Sequence, residues 1–251
     1  IWNKLITGGF RVGVSQKLVI RALAQMSGIE ETVLAHRMMG TWSPTPEFFR
    51  MLTAHDTGDS DISRPYPFFL AYPLENELET LGVVADWQAE WKWDGIRAQV
   101  IRRNGEIFIW SRGEELVTER YPEIAEAASA LPDGVVLDGE LLAWRGEQVL
   151  TFAQLQRRIG RKTLGKKLLA DIPVVFMAYD LLEADGIDRR DQPLAWRRAA
   201  LETIIGAAHQ PAFKLSPVLQ ADSWTALAEQ STESRERLVE GLMLKRRASP
   251  Y

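Results

Sequence analysis

The chain has 251 residues, of which 46% are apolar, so one large domain or two smaller ones with a substantial hydrophobic core can form. Its formal net charge is -4, which excludes a globally basic protein and means that any site for a polyanion must be local. The absence of cysteine excludes disulfide bonds, thiolate metal sites and a cysteine nucleophile.

The start of the chain bears on its cellular location and on its natural length. The chain starts with Ile1 rather than methionine, and it carries neither a secretory signal nor a long apolar run. We therefore expect a cytoplasmic protein with no membrane association, whose natural N-terminus lies upstream of Ile1.

The first part of the chain is predicted to be helical. Ser15 is a suitable N-cap for a helix that ends at Gly28, and apolar residues recur at helical spacing between them. A second helix is expected to end at Gly40. A third is expected to start at Thr45, with Pro46 in its first position.

Prolines and small polar residues between 55 and 73 predict a linker, with a domain boundary near residue 60. Beyond it the hydrophobic period changes to two. Asn104-Gly105 predicts a type I′ hairpin, because both central residues of that turn need positive φ. A second hairpin is expected to turn at Arg145-Gly146, and the apolar run at 171–182 predicts a strand buried on both faces. With helical patterns between the strands, the sequence predicts an α+β domain built on antiparallel sheets. These helices are expected within 119–131, 151–160, 195–208 and 223–235.

The segment EWKWDGIR alternates charged residues with tryptophan. In an extended strand Glu90, Lys92 and Asp94 share one face, while Trp91 and Trp93 share the other. Taken alone, the pattern fits an amphipathic strand whose tryptophans face a core and whose charged face carries weak surface ion pairs.

Further polar clusters interrupt the apolar strands of this region. Together with KWDGIR, the segments SR, LDGEL, AYDLL and EGLMLK occur in the order and at the spacing of the motifs of covalent nucleotidyltransferases. Within that superfamily the chain resembles ATP-dependent DNA ligases, and bacterial members most of all. The segment LITGGFRVGVSQKLVIRALA is similar to the end of the helical DNA-binding domain that precedes the catalytic domain in larger members.

This resemblance implies a partial helical DNA-binding domain in residues 1–60 and an adenylation domain in residues 61–251, the latter an ATP-grasp-like α+β fold of antiparallel sheets flanked by helices. It implies a monomer that seals nicks in duplex DNA near the bacterial nucleoid, with ATP as the AMP donor and Mg²⁺ as a cofactor. Repair nucleases or helicases are expected partners. The chain stops before the last lysine motif and the OB-fold domain of the family, so we expect a fragment with impaired activity.

The resemblance also implies roles for single residues. Lys92 is the expected nucleophile, which retains AMP through a P–N bond, and Glu90 is expected to contact adenine. Tyr179 takes the position of the aromatic residue that stacks on adenine, although a core tyrosine would give the same pattern. The remaining implied contacts are Arg97 and Arg112 with ribose and phosphate, Glu140 with ribose and metal, Glu240 with metal, and Lys245 with the nucleotide.

A lysine attacks only as the neutral amine, which nearby cations and partial desolvation favour. Arg97, Lys245 and a bound Mg²⁺ are the candidate cations around Lys92. Glu90 and Asp94 would act in the opposite direction if they touched the ammonium. Ion pairing within the segment therefore does not explain its composition.

Two regions of the sequence are candidates for contact with DNA phosphates. The segment LQRRIGRKTLGKK is locally basic, and the N-terminal helices carry further basic residues. In both regions an ordinary solvated surface fits the sequence equally well. The residues concerned are Arg157, Arg158, Arg161, Lys162, Lys166 and Lys167 in the first region, and Lys4, Arg11, Lys17 and Arg21 in the second.

Other functions share part of this pattern. An RNA ligase or a capping guanylyltransferase would use the same lysine motif, but the helical N-terminal segment favours a DNA ligase. A catalytically inactive DNA-binding fragment is the alternative from a different class. NAD fits less well than ATP as the donor, because Arg97 and the preceding helical segment are typical of the ATP group.

Overall fold

The computed structural model describes residues 16–38, 43–54, 62–113, 115–159, 161 and 164–251. The chain divides into two compact units, Ile1–Arg64 and Pro65–Tyr251. Among the described residues, no helix is both long enough and apolar enough to cross a lipid bilayer.

The first unit contains the three predicted helices: α1 (Gln16–Ser27), α2 (Glu31–Arg37) and α3 (Pro46–Leu52). Helix α1 ends where expected, because Gly28 adopts a φ of 72°, a conformation that favours glycine. Thr45 caps α3 by accepting a hydrogen bond at its hydroxyl from the amide of Phe48 at 3.1 Å. The other two predicted helix ends, Ser15 and Gly40, lie outside the described residues.

The second unit is built on two sheets, which confirms the α+β prediction. A three-stranded sheet has the order β10-β1-β9, and a seven-stranded sheet has the order β3-β2-β4-β6-β7, with β5 paired to β4 and β8 to β6. Strand β8 runs parallel to β6, whereas the other strand pairs of the described residues are antiparallel. The strands are β1 (Trp87–Trp93), β2 (Ile96–Arg103), β3 (Glu106–Ser111), β4 (Val135–Arg145), β5 (Gln148–Val149), β6 (Val174–Ala184), β7 (Ile187–Asp188), β8 (Phe213–Leu215), β9 (Val218–Leu219) and β10 (Val239–Arg246).

Both predicted hairpins form, one of them shifted. Asn104 and Gly105 have φ values of 52° and 77°, as a type I′ turn between β2 and β3 requires. The second hairpin turns at Gly146 and the next residue rather than at Arg145-Gly146. Arg145 instead stays in the ladder opposite Gln148, and Gly146 takes the positive φ of 60°.

Helices cover the large sheet and complete the core. Strand β6 is buried along almost its whole length, as its continuous apolar sequence predicts. Phe176 from β6, Leu201 from a helix and Ile109 from β3 belong to one buried cluster. The helices of this unit are α4 (Pro122–Ala128), α5 (Phe152–Ile159), α6 (Lys166–Asp171), α7 (Leu194–Ala208) and α8 (Trp224–Ser231).

Gly95 in the segment KWDG and Gly139 in the segment LDGE lie where the backbone approaches its neighbours too closely for a side chain. A Cβ atom on Gly139 would lie 2.6 Å from the carbonyl oxygen of Met177. A Cβ atom on Gly95 would lie 2.8 Å from Cγ of Glu140. Ordinary van der Waals contact begins near 3.4 Å, so β4 and its neighbours can keep this spacing only with glycine at both positions.

We expect Gly139→Ala to lower the free energy of unfolding by about 1–3 kcal/mol, because an added methyl group overpacks the β4–β6 contact. Urea unfolding measures the change. Gly206→Ala in α7 is the matched control, because a Cβ atom there meets nothing within 4 Å. That variant should gain about 0.5–1 kcal/mol from the higher helix propensity of alanine. A destabilisation of the same size in both variants would contradict the close-approach argument.

Candidate active site

A cleft of about 860 Å³ lies in the second unit and is lined by residues of both sheets. Strands β1 and β10 of the small sheet and strands β2, β4 and β6 of the large sheet contribute to it. All the residues to which the sequence assigned a nucleotide, catalytic or metal role line this cleft: Glu90, Lys92, Arg97, Arg112, Glu140, Tyr179, Glu240 and Lys245.

Strand β1 presents its charged face to the cleft. Trp93 also lines the cleft, and it packs beside Trp144 and donates a hydrogen bond to Ser216 at 3.1 Å. Lys92 stands opposite Gly241 of β10, so the residue facing it carries no side chain. Its ammonium contacts the carboxylate of Glu240, and both side chains are a little under half exposed. The partner of Lys92 is thus on the neighbouring strand and not in its own segment.

Lys245 lies against the residues expected to bind adenine. Its Nζ atom donates to Oε1 of Glu90 at 3.0 Å and lies 4.3 Å from the centroid of the Tyr179 ring. Glu90 is only 1% exposed, so this ion pair is largely shielded from water. The expectation that Lys245 acts as a cation beside Lys92 is therefore not matched by its contacts, which are with Glu90 and Tyr179.

Arg97 is held tightly by the protein itself. Its Nη2 atom donates to Oδ2 of Asp138 at 2.8 Å and to the Tyr251 hydroxyl at 3.0 Å. Its Nε atom donates to Oδ1 of Asp138 at 3.3 Å, and Nη1 donates to the carbonyl oxygen of Phe69. Burial lowers the pKa of this guanidinium, but Asp138 and Tyr179 outweigh it, so the net pKa lies above the ordinary value. Most of its five N–H donors are occupied before any ligand binds.

Glu140 and Arg112 differ from Arg97 in their surroundings. Burial raises the pKa of the Glu140 carboxyl to about 8, and the negative charge of Asp138 adds to this shift. The positive charge of Arg97, and then that of Arg112, an exposed residue just after β3, partly oppose this rise in the pKa. Glu140 is therefore a carboxyl whose ionised form would gain from an incoming cation.

The sequence analysis gave no role to Asp180, which lines the cleft, or to Gln88, which contacts Glu90. Asp180, in the segment AYDLL, forms a buried ion pair with Arg197 of α7, with Nε of Arg197 2.7 Å from Oδ1. Nothing in the sequence links these two residues. Gln88 also lies in this region, buried and bonded to Glu90 at 2.7 Å. The period of two along β1 could have found it, because Gln88 precedes Glu90 by two positions.

A family profile described as "ATP dependent DNA ligase domain" matches residues 69–251, which is more than half of the chain. The chain belongs to the ATP-dependent DNA ligase domain family. The motif residues described above all fall within the matched range.

Relatives lead to the same family. A "Probable DNA ligase" of Koribacter versatilis is 33% identical, and the match covers 99% of this chain and 47% of the relative. A "Probable DNA ligase" of Opitutus terrae is 32% identical, with 99% of this chain and 30% of the relative covered. The chain thus spans about half the length, or less, of these curated relatives.

A solved structure also resembles the ligase domain. The structure titled "mycobacterial DNA ligase D complexed with ATP and MES" has a TM-score of 0.53 and 34% identity, and the match covers 67% of this chain and 51% of that chain. This likeness supports the mixed α and β architecture and the family assignment.

The cleft of the ligase domain contains carboxylates without a complete metal cage. In the part of the chain that the structure describes, no group of three or more histidine, aspartate or glutamate side chains could hold a metal ion. Mg²⁺ is usually bound through one or two carboxylates together with water and substrate phosphates. Glu140 and Glu240 line the same cleft, and this donor set fits a magnesium ion that binds together with a nucleotide.

Only some residues of the predicted basic segment, 155–167, are exposed. Arg158 is 1% exposed, forms an ion pair with Glu123 and donates to the carbonyl oxygen of Ile172 at 3.0 Å. The prediction that Arg158 is a candidate DNA contact was therefore wrong, because its guanidinium is buried and paired with Glu123. Several other members are exposed, namely Arg157, Arg161, Lys166 and Lys167, while Lys162 lies outside the described residues.

The raised pKa of Glu140 makes the stability of the protein depend on pH. Between the ordinary value near 4.5 and the folded value of about 8, the folded protein binds a proton that the unfolded chain has lost. The contribution of Glu140 to the free energy of unfolding is therefore fully present below pH 4.5 and is lost as the pH rises towards 8.

We expect Glu140→Gln to become more stable than the unmodified protein as the pH rises from 5 to 8.5, by on the order of a few kcal/mol. Urea unfolding without Mg²⁺ or nucleotide measures this difference. Glu147→Gln is the control, because the Glu147 side chain is 90% exposed. A stability difference for Glu140→Gln that does not vary with pH would show that Glu140 ionises as an ordinary surface carboxylate.

Proposed function

We propose that this protein is an ATP-dependent DNA ligase that seals nicks in duplex DNA through a lysyl-AMP intermediate. The observation that carries the proposal is the convergence of the motif residues on one cleft, with Lys92 on its β1 wall. These residues come from five strands and from the segment just after β3, and they span positions 90 to 245 of the sequence. A chance arrangement of surface charges would not bring them together.

In the first step, the neutral Nζ of Lys92 attacks the α-phosphorus of ATP. A P–N bond forms, the bond between the α-phosphorus and the bridging oxygen breaks, pyrophosphate leaves, and the amine loses a proton. The ammonium must first give a proton to solvent, because only the neutral amine has a lone pair, and the contact with Glu240 must open so that Nζ can reach the phosphorus. In this proposal Glu90 and Tyr179 bind adenine.

We assign the binding of the ribose and the phosphates to Arg112, Arg97 and Lys245. Arg112 is exposed beside the cleft, which leaves its planar guanidinium available for phosphate oxygens. Arg97 is already bonded to Asp138 and Tyr251, so we assign it one ribose or phosphate contact at most and a mainly orienting role. Lys245 would reach the phosphates after it leaves Glu90.

Two further transfers complete the reaction. AMP passes from Lys92 to the 5′-phosphate of the nick, and the 3′-hydroxyl then attacks that phosphate, forms the phosphodiester bond and releases AMP. Glu140 and Glu240 would hold Mg²⁺, which when bound supplies positive charge against the phosphates. Positioning of the reacting groups contributes much of the rate in such transfers.

We assign residues 1–60 to a helical DNA-binding domain and residues 61–251 to the adenylation domain. The helices α1 to α3 support the first assignment, and exposed Arg21 is a candidate phosphate contact. Lys4, Arg11 and the side chain of Lys17 lie outside the described residues. A monomer acting on nicked DNA at the bacterial nucleoid, with repair nucleases or helicases as partners, completes the proposal.

Lys92→Ala should abolish covalent labelling. The protein expressed from its complete reading frame is incubated with Mg²⁺ and ATP labelled at the α-phosphate, and the adduct is measured after denaturing electrophoresis. We expect a loss of at least about 10³-fold, because the variant lacks the attacking atom.

Lys214→Ala is the control, since Lys214 lies outside the cleft beside Glu147, and it should keep the label. Persistent labelling in Lys92→Ala would reject the nucleophile. A stronger adduct from GTP than from ATP would indicate a capping-type enzyme. Binding of nicked DNA with no adduct from any nucleotide would indicate an inactive DNA-binding module.

The contacts of Lys245 generate a second prediction for this function. Its ammonium lies between Glu90 and Tyr179, in the space that a base touching both residues needs. Adenine must therefore displace Lys245, which frees the ammonium for the phosphates.

We expect Lys245→Met to bind adenosine about 5-fold more tightly, because the base no longer displaces an ion pair. The same variant should bind ATP at least about 10-fold more weakly, because it lacks a cation for the phosphates. Calorimetry in a Lys92→Ala background measures both affinities without adduct formation. Lys214→Met serves as the matched control, and weaker binding of both ligands to Lys245→Met would refute the displacement.

A further inference from the structure

Gln88 makes a buried contact with the residue that we expect to recognise the base. Gln88 is 1% exposed and lies two positions before Glu90 on β1, so both side chains project from the same face of the strand. Its amide Nε2 donates to Oε1 of Glu90 at 2.7 Å. The nitrogen must face the carboxylate, because the amide oxygen in that place would be repelled.

The two oxygens of the Glu90 carboxylate differ in their hydrogen-bond partners. Oε1 accepts from Gln88 and from Lys245, whereas Oε2 is buried and has no hydrogen-bond partner among the described residues. A buried acceptor without a donor costs roughly 1–3 kcal/mol, and more when it is charged. Since Glu90 lines the cleft, Oε2 is a strong acceptor that lacks a donor at a ligand site.

Packing alone does not account for glutamine at position 88. Its own amide oxygen is also buried and has no hydrogen-bond partner in the part of the chain that the structure describes. Methionine would fill a similar volume without burying that oxygen. What glutamine adds is the N–H donor that fixes Oε1 of Glu90, and this donor remains in place when Lys245 leaves.

We propose that Gln88 is a positioning residue that sets nucleobase specificity by holding Glu90 so that Oε2 faces the base edge. In this arrangement Oε2 accepts a hydrogen bond from an exocyclic amine, as in a 6-aminopurine. A 6-oxopurine would place its own oxygen against the carboxylate, and a purine without a 6-substituent would leave Oε2 unpaired. The inference rests on the proposed function, because it takes the cleft to be the nucleotide site.

The test compares AMP with purine riboside 5′-monophosphate, which lacks only the amine, by calorimetry on the protein expressed from its complete reading frame. The unmodified protein should bind AMP at least about 10-fold more tightly. Gln88→Met should lose most of that preference, through weaker binding of AMP, while its affinity for the purine analogue changes less than about 2-fold.

Gln99→Met is the matched control. Gln99 is also fully buried, and its amide bonds the backbone of Tyr66 outside the cleft. This variant should lose stability yet keep the preference for AMP. If Gln88→Met does not fold, Gln88→Asn carries the test, because its shorter amide stays polar but cannot reach Glu90.

Two outcomes overturn the inference: equal binding of the two nucleotides by the unmodified protein, and equal losses for both nucleotides in the Gln88 variant. A purely structural role of Gln88 predicts the second of these. Covalent labelling with ATP is measured on the same samples. Absence of an adduct with the AMP preference intact would reject the ligase reaction and leave the role of Gln88 standing, so the two failures are distinguishable.

Discussion

The close approach of the turn Asp94-Gly95 to strand β4 is the constraint on which the cleft depends. This turn carries the chain from β1 of the small sheet to β2 of the large sheet, and Gly95 packs where a side chain would collide with Glu140. Lys92 and Arg97 therefore belong to different sheets although they are neighbours in sequence. A bulkier turn would separate the sheets and with them the two walls of the cleft.

The charges of the cleft fall into a fixed group and an exchangeable group. Asp138 is fully buried and bonds Arg97, so this pair remains in place when a ligand enters. Removing one partner of such a pair leaves an uncompensated buried charge, which is strongly unfavourable. Lys92 and Glu240 are partly exposed. In the proposed function, phosphates can therefore replace Glu240 as the partner of Lys92, and a metal ion can replace Lys92 as the partner of Glu240. In the proposed function, the cations of the cleft thus stay neutralised until a nucleotide provides new charges.

Glu90 connects these two groups. It shares Oε1 between a fixed neutral donor, Gln88, and a cation that can leave, Lys245. In the proposed function, Lys245 moves to the phosphates while Gln88 remains, so the carboxylate keeps its orientation. The proposal thus couples base recognition and the delivery of a cation to the phosphates through one carboxylate, beside the ring of Tyr179.

The sequence by itself determined the helices of the first unit, the Asn104-Gly105 hairpin, the buried strand β6 and eight of the residues that line the cleft. These features depend on local periodicity, turn chemistry and short motifs, which the chain carries within a few residues. Only the tertiary structure decided the partners. Lys92 pairs with Glu240 rather than with a residue of its own segment. Arg158 is buried and pairs with Glu123, so it is not exposed for contact with DNA. Pairing depends on strand register and helix packing across long sequence separations, and a charge pattern read along one segment does not contain that information.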